Sequence, residues 1–282
     1  MTSCKRVAAW TVIGLTTAAL LVAGSVIYFG WYDISATRPH TAAVNQLIET
    51  TLARSVSVRA KSIRVPDLND PADIRDGFGL FRAHCVQCHG APGVAPEPYA
   101  LGLNPAPASL VESAHERSAG EVFWLIRQGI KMTGMPAWQY RLTDGQIWDV
   151  VAFMRVLPTL SPTDYRQWDE RSPQPTPQAI PLDAPRIGNA MAGRQALQQY
   201  MCVTCHVIPD VVGASSHVGP SLAGIAIRPY IAGVLSNTPE NMRRWLMAPT
   251  TIKPGTAMPD LGISEQDARD IAAFLKTLSA PD

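Results

Sequence analysis

Cys85-Val86-Gln87-Cys88-His89 decides how this chain is read, because the pattern returns as Cys202-Val203-Thr204-Cys205-His206. Each motif sets two thiols three positions apart and an imidazole directly after the second. Four of the five cysteines are used this way, and Cys4 is left over. A zinc site would need four converging cysteine or histidine ligands. Beyond the motifs there are too few, with His115 after the first and His217 after the second. A thioredoxin-like pair would sit in a βαβ context, and strand-like alternation is scarce here. Structural disulfides would not account for the repeated histidine.

The chemistry that does account for it is haem attachment. Two thiols on one helical turn can add to the two vinyl groups of a haem, and the next residue then presents an imidazole to the iron. The chain is therefore expected to carry two covalently bound haem c groups, held by Cys85, Cys88 and His89 and by Cys202, Cys205 and His206. Each iron also needs a sixth ligand. Gly134-Met135-Pro136 and Ala257-Met258-Pro259 lie at similar separations after the two histidines, in loops before the last helix of each domain. A thioether there raises the reduction potential of haem iron. The expected metal ligands are His89, Met135, His206 and Met258. Met132 is a rival to Met135, and Met242 and Met247 are weaker rivals to Met258.

Working outward, the run from Val7 to Phe29 carries no charge. At about 1.5 Å per residue it can cross a hydrocarbon core of about 30 Å. Lys5 and Arg6 precede it, and Trp10, Tyr28, Trp31 and Tyr32 sit near its ends, where amphipathic rings favour the interface. The alternative is a cleaved signal peptide, with Ala23, Gly24 and Ser25 as small residues near a cleavage point. The apolar core of such a peptide is shorter, about 7–15 residues. Because c-type haem is attached outside the cytoplasm, the expectation is a single-pass anchor in a bacterial inner membrane. The haem domains then lie on the periplasmic side and Cys4 on the cytoplasmic side.

The fold class expected is all-α: an N-terminal transmembrane helix over residues 1–33, then two helical haem-bearing domains. A basic juxtamembrane segment and connector covers 34–71; within its Ile34–Val65 part Arg38, Arg54, Arg59, Lys61 and Arg64 stand against one acid, Glu49. Val44, Leu47, Ile48, Leu52 and Val56 recur there at helical spacing. That helix either rests on anionic lipid or a partner, or packs on the first domain. The first domain covers 72–160, a proline-rich, extended spacer 161–185, and the second domain 186–282. The two domains share a motif order, so the chain reads as an imperfect internal duplication. Ser118 with Glu121 and Thr143 with Gln146 fit capping boxes. Thr238 with Pro239 fits an N-cap and first-turn proline. After Ser264, Ile271, Phe274, Leu275 and Leu278 make one apolar face. A net charge of +1, with 17% charged residues, gives no field of one sign that would attract nucleic acid.

These residues resemble class I cytochromes c over both domains. Gly77-x-x-x-Phe81-x-x-x-Cys85 is similar to that family's first helix, and Gly193, Leu197 and Tyr200 precede Cys202 with one extra residue. Phe153 and Phe274 stand where the family packs an aromatic against the first helix. Gly219-Pro220-Ser221-Leu222 resembles the family's loop whose proline carbonyl accepts a hydrogen bond from the proximal histidine. In the first domain Pro107-Ala108-Ser109-Leu110 is the expected equivalent, with Pro105 as the rival. The arrangement of one anchor and two cytochrome domains is similar to the diheme subunit of bacterial haem–copper terminal oxidases. The resemblance implies electron delivery to such an oxidase, with no independent catalytic activity. The alternatives are a cytochrome subunit that accepts electrons from a periplasmic dehydrogenase, and a diheme peroxidase. A peroxidase needs one iron with an open position, against which Met135 and Met258 argue.

Overall fold

A computed structural model of the chain describes residues 2–172 and 187–279. Its helices are α1 (Thr2–Tyr28), α2 (Ala42–Ala60), α3 (Pro71–His84), α4 (Val86–His89), α5 (Leu110–Glu116), α6 (Ala119–Gln128), α7 (Asp144–Val156) and α8 (Pro162–Arg171). They continue with α9 (Ala190–Gln199), α10 (Pro239–Met247), α11 (Pro249–Ile252) and α12 (Glu265–Leu275). Between α9 and α10 a two-residue antiparallel ladder pairs β1 (Tyr230–Ile231) with β2 (Leu235–Ser236), Ile231 opposite Leu235. The described residues are all-α apart from this ladder and isolated bridges.

Each globular unit is built on a crossing of its first and last core helices, and a glycine sets how close they come. On α3, a Cβ at Gly77 would lie 1.9 Å from the Asp149 carbonyl oxygen of α7. On α9, a Cβ at Gly193 would lie 1.9 Å from the Asp270 carbonyl oxygen of α12. Only glycine allows backbone to approach backbone in this way. Around the first crossing Phe78, Phe81, Phe153 and Ile147 are fully buried, and the Phe78 and Phe81 rings lie 5.2 and 5.1 Å from Phe153. Around the second, Leu197, Ile271, Phe274 and Leu275 are buried. Burying each such side chain contributes about 1.5–3 kcal/mol.

The helix starts follow the sequence. Ser118 and Thr143 form full capping boxes with Glu121 and Gln146. Thr238 accepts from the Asn241 amide ahead of Pro239, and Ser264 accepts from the Asp267 amide. These side chains satisfy amides that have no partner within the helix.

Two segments refine the reading above. The stretch expected to be an extended spacer from 161 is helical over α8, capped by Ser161 with Asp164 and opened by Pro162. Tyr165 is buried and, with Trp168, packs edge-on against Phe78; Arg82 of α3 pairs with Asp169 at 2.5 Å. Pro162 at the first helical position starts a helix rather than preventing one. The rest of that stretch, 173–186, lies outside the described residues. The second segment is α2, whose C-terminal end follows the packing alternative. Its C-terminal turns bury Val56 and Ala60 against the first domain, and the backbone of Ala60 and the side chain of Ile63 approach Gly120 of α6. Leu47 and Ile48, nearer its start, and Val58 remain exposed.

Beyond Lys5 and Arg6, α1 is apolar on all sides, and its most apolar 18 residues have a mean hydropathy of 1.9. By length and composition it is able to cross a membrane.

Candidate functional site

In the first domain α3 ends at His84, and the chain turns once more through the motif. The Cys88 and His89 amides both donate to the Cys85 carbonyl, at 3.1 and 2.9 Å, so one turn gathers both thiols and the imidazole. Gly90, at φ +64, ends that turn. His89 Nδ1 lies 2.8 Å from the Ala108 carbonyl oxygen. A carbonyl only accepts, so Nδ1 carries the proton and Nε2 keeps its lone pair for a metal. The loop is the expected one, but the accepting residue is Ala108, neither Pro107 nor Pro105. Ala108 occupies the register of Pro220 in the second domain, and a backbone carbonyl serves this purpose whatever its side chain.

Met135 packs on the same core as the first motif. It is partly buried against Val122, Ile126, Leu142 and Val151, the cluster on which Cys85 also packs. Its amide donates to Thr133 Oγ1 at 3.1 Å, and its carbonyl accepts from the Ile130 amide at 3.2 Å. Gly129, at φ +65, lets α6 end against this loop, since a Cβ there would meet the Met135 and Pro136 backbone within 2.7 Å. Met132, the rival, is 92% exposed in a left-handed conformation and faces away from the core.

The second domain repeats the construction. The Cys205 and His206 amides donate to the Cys202 carbonyl, and His206 Nδ1 lies 2.7 Å from the Pro220 carbonyl oxygen, as the loop's sequence implies. Gly219 packs directly on the ring: a Cβ there would lie 2.5 Å from Cε1 and 2.7 Å from Nδ1 of His206. Met258 packs on the same core as Cys202, and its amide donates to Thr256 Oγ1 at 3.2 Å. Of its rivals, Met242 is buried on α10 and the Met247 sulfur accepts from Arg243 at 3.7 Å. The one extra residue before Cys202 is absorbed at Met201, whose left-handed φ of +57 lets α9 stop before the motif begins.

Sequence reasoning missed the threonine two positions before each methionine. The signal was present: Thr133-Gly134-Met135-Pro136 and Thr256-Ala257-Met258-Pro259 are one repeated tetrapeptide. In both domains its hydroxyl holds the methionine amide and so orients the loop.

Electrostatically the sites are apolar. All four motif cysteines are free thiols, and burial pushes Cys85 up to about 12 and Cys202 up to about 11. His84, against the Trp138 ring at 5.0 Å, is held below its ordinary value by burial. Among the described residues no cluster of three or more histidine, cysteine or acidic side chains could hold a free metal ion, which leaves the zinc alternative without a donor set.

Residues 72–154 match the family described as cytochrome c oxidase, cbb3-type, subunit III, and residues 190–279 match the family described as cytochrome c. Both globular units are cytochrome c domains. The chain is also similar to cytochrome c oxidase subunit 2 of Alkalihalophilus pseudofirmus, at 32% identity over 98 residues, and of Bacillus subtilis, at 33% over 97. These matches cover 34% and 32% of this chain and only 28% and 27% of the relatives, so they reach about a quarter of those proteins. A chain of the Kuenenia stuttgartiensis reducing HAO-like protein complex aligns over 77% of this chain and 99% of its own length, at 19% identity and a TM-score of 0.27. That value is too low to bear on the arrangement of the domains. Cytochrome c domains imply covalently bound haem c and electron transfer, and two domains are consistent with two haems. The residues fit that group: free paired thiols on one turn, an imidazole with Nε2 unengaged, and a thioether in the same apolar core.

Proposed function

We propose that the chain is a membrane-anchored diheme cytochrome c that passes single electrons in a respiratory chain to a haem–copper terminal oxidase. One observation carries the reading: in both domains a single turn gathers Cys-x-x-Cys-His, a carbonyl fixes the histidine, and a Thr-x-Met-Pro loop brings a methionine to the same core. Bound haem c supplies a reversible one-electron couple. The chain's own residues do the rest. Cys85 and Cys88, and Cys202 and Cys205, hold the group covalently. His89 and His206 offer Nε2 to the iron, oriented by Ala108 and Pro220; such bonds also raise the basicity of the ligand. Met135 and Met258 offer soft thioethers that raise the potential. A histidine and a methionine offered to each iron would leave no position for substrate.

α1 supports anchoring in a bacterial inner membrane, with the haem domains on the periplasmic side. A helix apolar on every face and uncovered by the chain needs a nonaqueous surrounding. The subunit III family and the oxidase relatives support a terminal oxidase as the partner. An anchor beside an integral membrane partner raises the effective concentration of the donor.

The test is spectroscopic. Met135→Ala and Met258→Ala should each convert one haem from low to high spin, lower its potential, and halve the long-wavelength methionine–iron band. An unchanged band in Met135→Ala would return the assignment to Met132. A mature protein without two haem-sized mass increments, made in a host that attaches haem, would overturn the reading.

A further inference from the structure

A four-residue turn of the first domain grips the second. The turn from Trp138 to Arg141 follows Met135 by three positions. At one end, the Trp138 ring lies 5.0 Å from His84, the residue before Cys85. At the other, the Arg141 guanidinium sits over the Tyr200 ring of the second domain at 4.7 Å, and Arg141 also donates to its neighbour's carbonyl, Tyr140 O, at 2.8 Å. Tyr140 is half-buried against the core formed by α9, α10 and α12. Tyr200 is itself fixed. It is buried, its hydroxyl donates to Asp267 Oδ2 at 2.7 Å, and it stands two residues before Cys202, whose thiol points at the Tyr200 carbonyl. The charges match across the contact, with Arg141 on one side and Asp267 on the other.

We propose that the Tyr140–Arg141 clasp on Tyr200 is a positioning device that locks the two haem-bearing domains into one relation, so that an electron passes directly between them. This rests on the diheme reading above. Its residues are positioning residues, since none is a motif cysteine or an axial ligand. In the exchange one electron leaves the reduced site and enters the oxidised one. No bond forms or breaks, and the Tyr200 hydroxyl keeps its proton in the bond to Asp267. Loss of the clasp would shift the fixed approach of the two sites towards a search through linker conformations.

The test uses the full chain in detergent. Spin labels attached through a genetically encoded keto amino acid at positions 159 and 276, which leaves the motif cysteines unlabelled, report the separation of the domains whether or not haem is attached. The parent should give one narrow distance distribution, and Tyr140→Ala/Arg141→Ala a broad one. In the loaded protein the double variant should keep two haems and both midpoint potentials. Exchange between the haems after photoreduction should slow at least about tenfold, in line with the cost of misplacing reacting groups by an ångström or so. Arg141→Lys, which keeps a cation over the ring, should recover most of that rate. An unchanged distance distribution or an unchanged exchange rate in the double variant overturns the proposal. Absence of haem from the parent defeats the functional reading instead, and leaves the distance measurement to decide on the clasp.

Discussion

Gly219→Ala is the smallest change that should reach the second haem. The new Cβ would stand 2.5, 2.7 and 3.0 Å from Cε1, Nδ1 and Nε2 of His206, where ordinary contact begins at 3.4 Å. The ring must retreat by about 1 Å to recover normal carbon contact distances. That retreat carries Nδ1 from 2.7 Å to the Pro220 oxygen out to about 3.5 Å, beyond a useful hydrogen bond. A bond of this kind contributes about 0.5–1.5 kcal/mol. Only the difference in its strength between the two oxidation states moves the potential, so at 59 mV per tenfold change for one electron the shift is at most roughly 20–65 mV. The sign follows from the donor: Nδ1–H···O=C makes the imidazole more basic, which favours oxidised iron. Its loss should raise the midpoint of the second haem and leave the first where it was. A spectropotentiometric titration resolving two waves measures this. Gly79→Ala, with nothing within 4 Å of the new Cβ, is the control that should move neither wave. Two unchanged midpoints, or a fall in one, would refute the assignment of His206 or the role of the Gly219 contact.

Three further outcomes follow from the packing. Gly77→Ala forces α3 off the Asp149 carbonyl and should cost about 3 kcal/mol or more, as overpacking does, whereas Gly79→Ala, two positions along the same helix, should stabilise by about 0.5–1 kcal/mol; thermal melts of the pair read the contrast. Asp149 is pushed up to about 6, first by burial and then by Asp73 and Asp76. Its folded value exceeds its unfolded one, so its contribution is most favourable below the unfolded value and is lost as pH rises towards 6. Asp149→Asn should therefore stabilise the first domain at pH 7 by about 1 kcal/mol, discounted for exposure, and by nothing at pH 4, as denaturant titration at the two pH values will show. Tyr165→Ala removes a buried ring of α8 from Phe78 and should lower first-domain stability by about 3 kcal/mol, while the second domain's unfolding is unmoved in a two-transition melt.

What the sequence made legible was local. The attachment motifs, the capping residues and the apolar face of α12 are patterns within a dozen residues, and side-chain chemistry alone dictates them. The accepting carbonyl of the first site was not legible, because every residue has a carbonyl. Only tertiary placement picks Ala108 over its proline neighbours. The helix α8 was obscured because proline density suggested an extended spacer. Pro162 in fact stands at the one helical position that tolerates it, and an aromatic pair then holds the helix to α3. The extra residue before Cys202 was visible as a count, but its solution, a left-handed Met201, depends on where α9 must end to keep Gly193 on α12.

The two domains share their working parts and differ in what surrounds them. A glycine at the helix crossing, a carbonyl on the histidine and a threonine under the methionine occur in both. The first domain additionally carries α2, through Val56 and Ala60, and Asn104 of the same domain donates to the carbonyls of Ala36 and Arg38 just before that helix. The segment leading from α1 is thus tied to the first domain at two places. The second domain meets the first at Tyr200, through the turn that follows Met135. Among the described residues, a constraint that α1 imposes therefore has a route to the second domain through the first. Cutting α2 free with Val56→Asp should loosen α1 from both domains together, whereas opening the Arg141 contact should release the second domain alone.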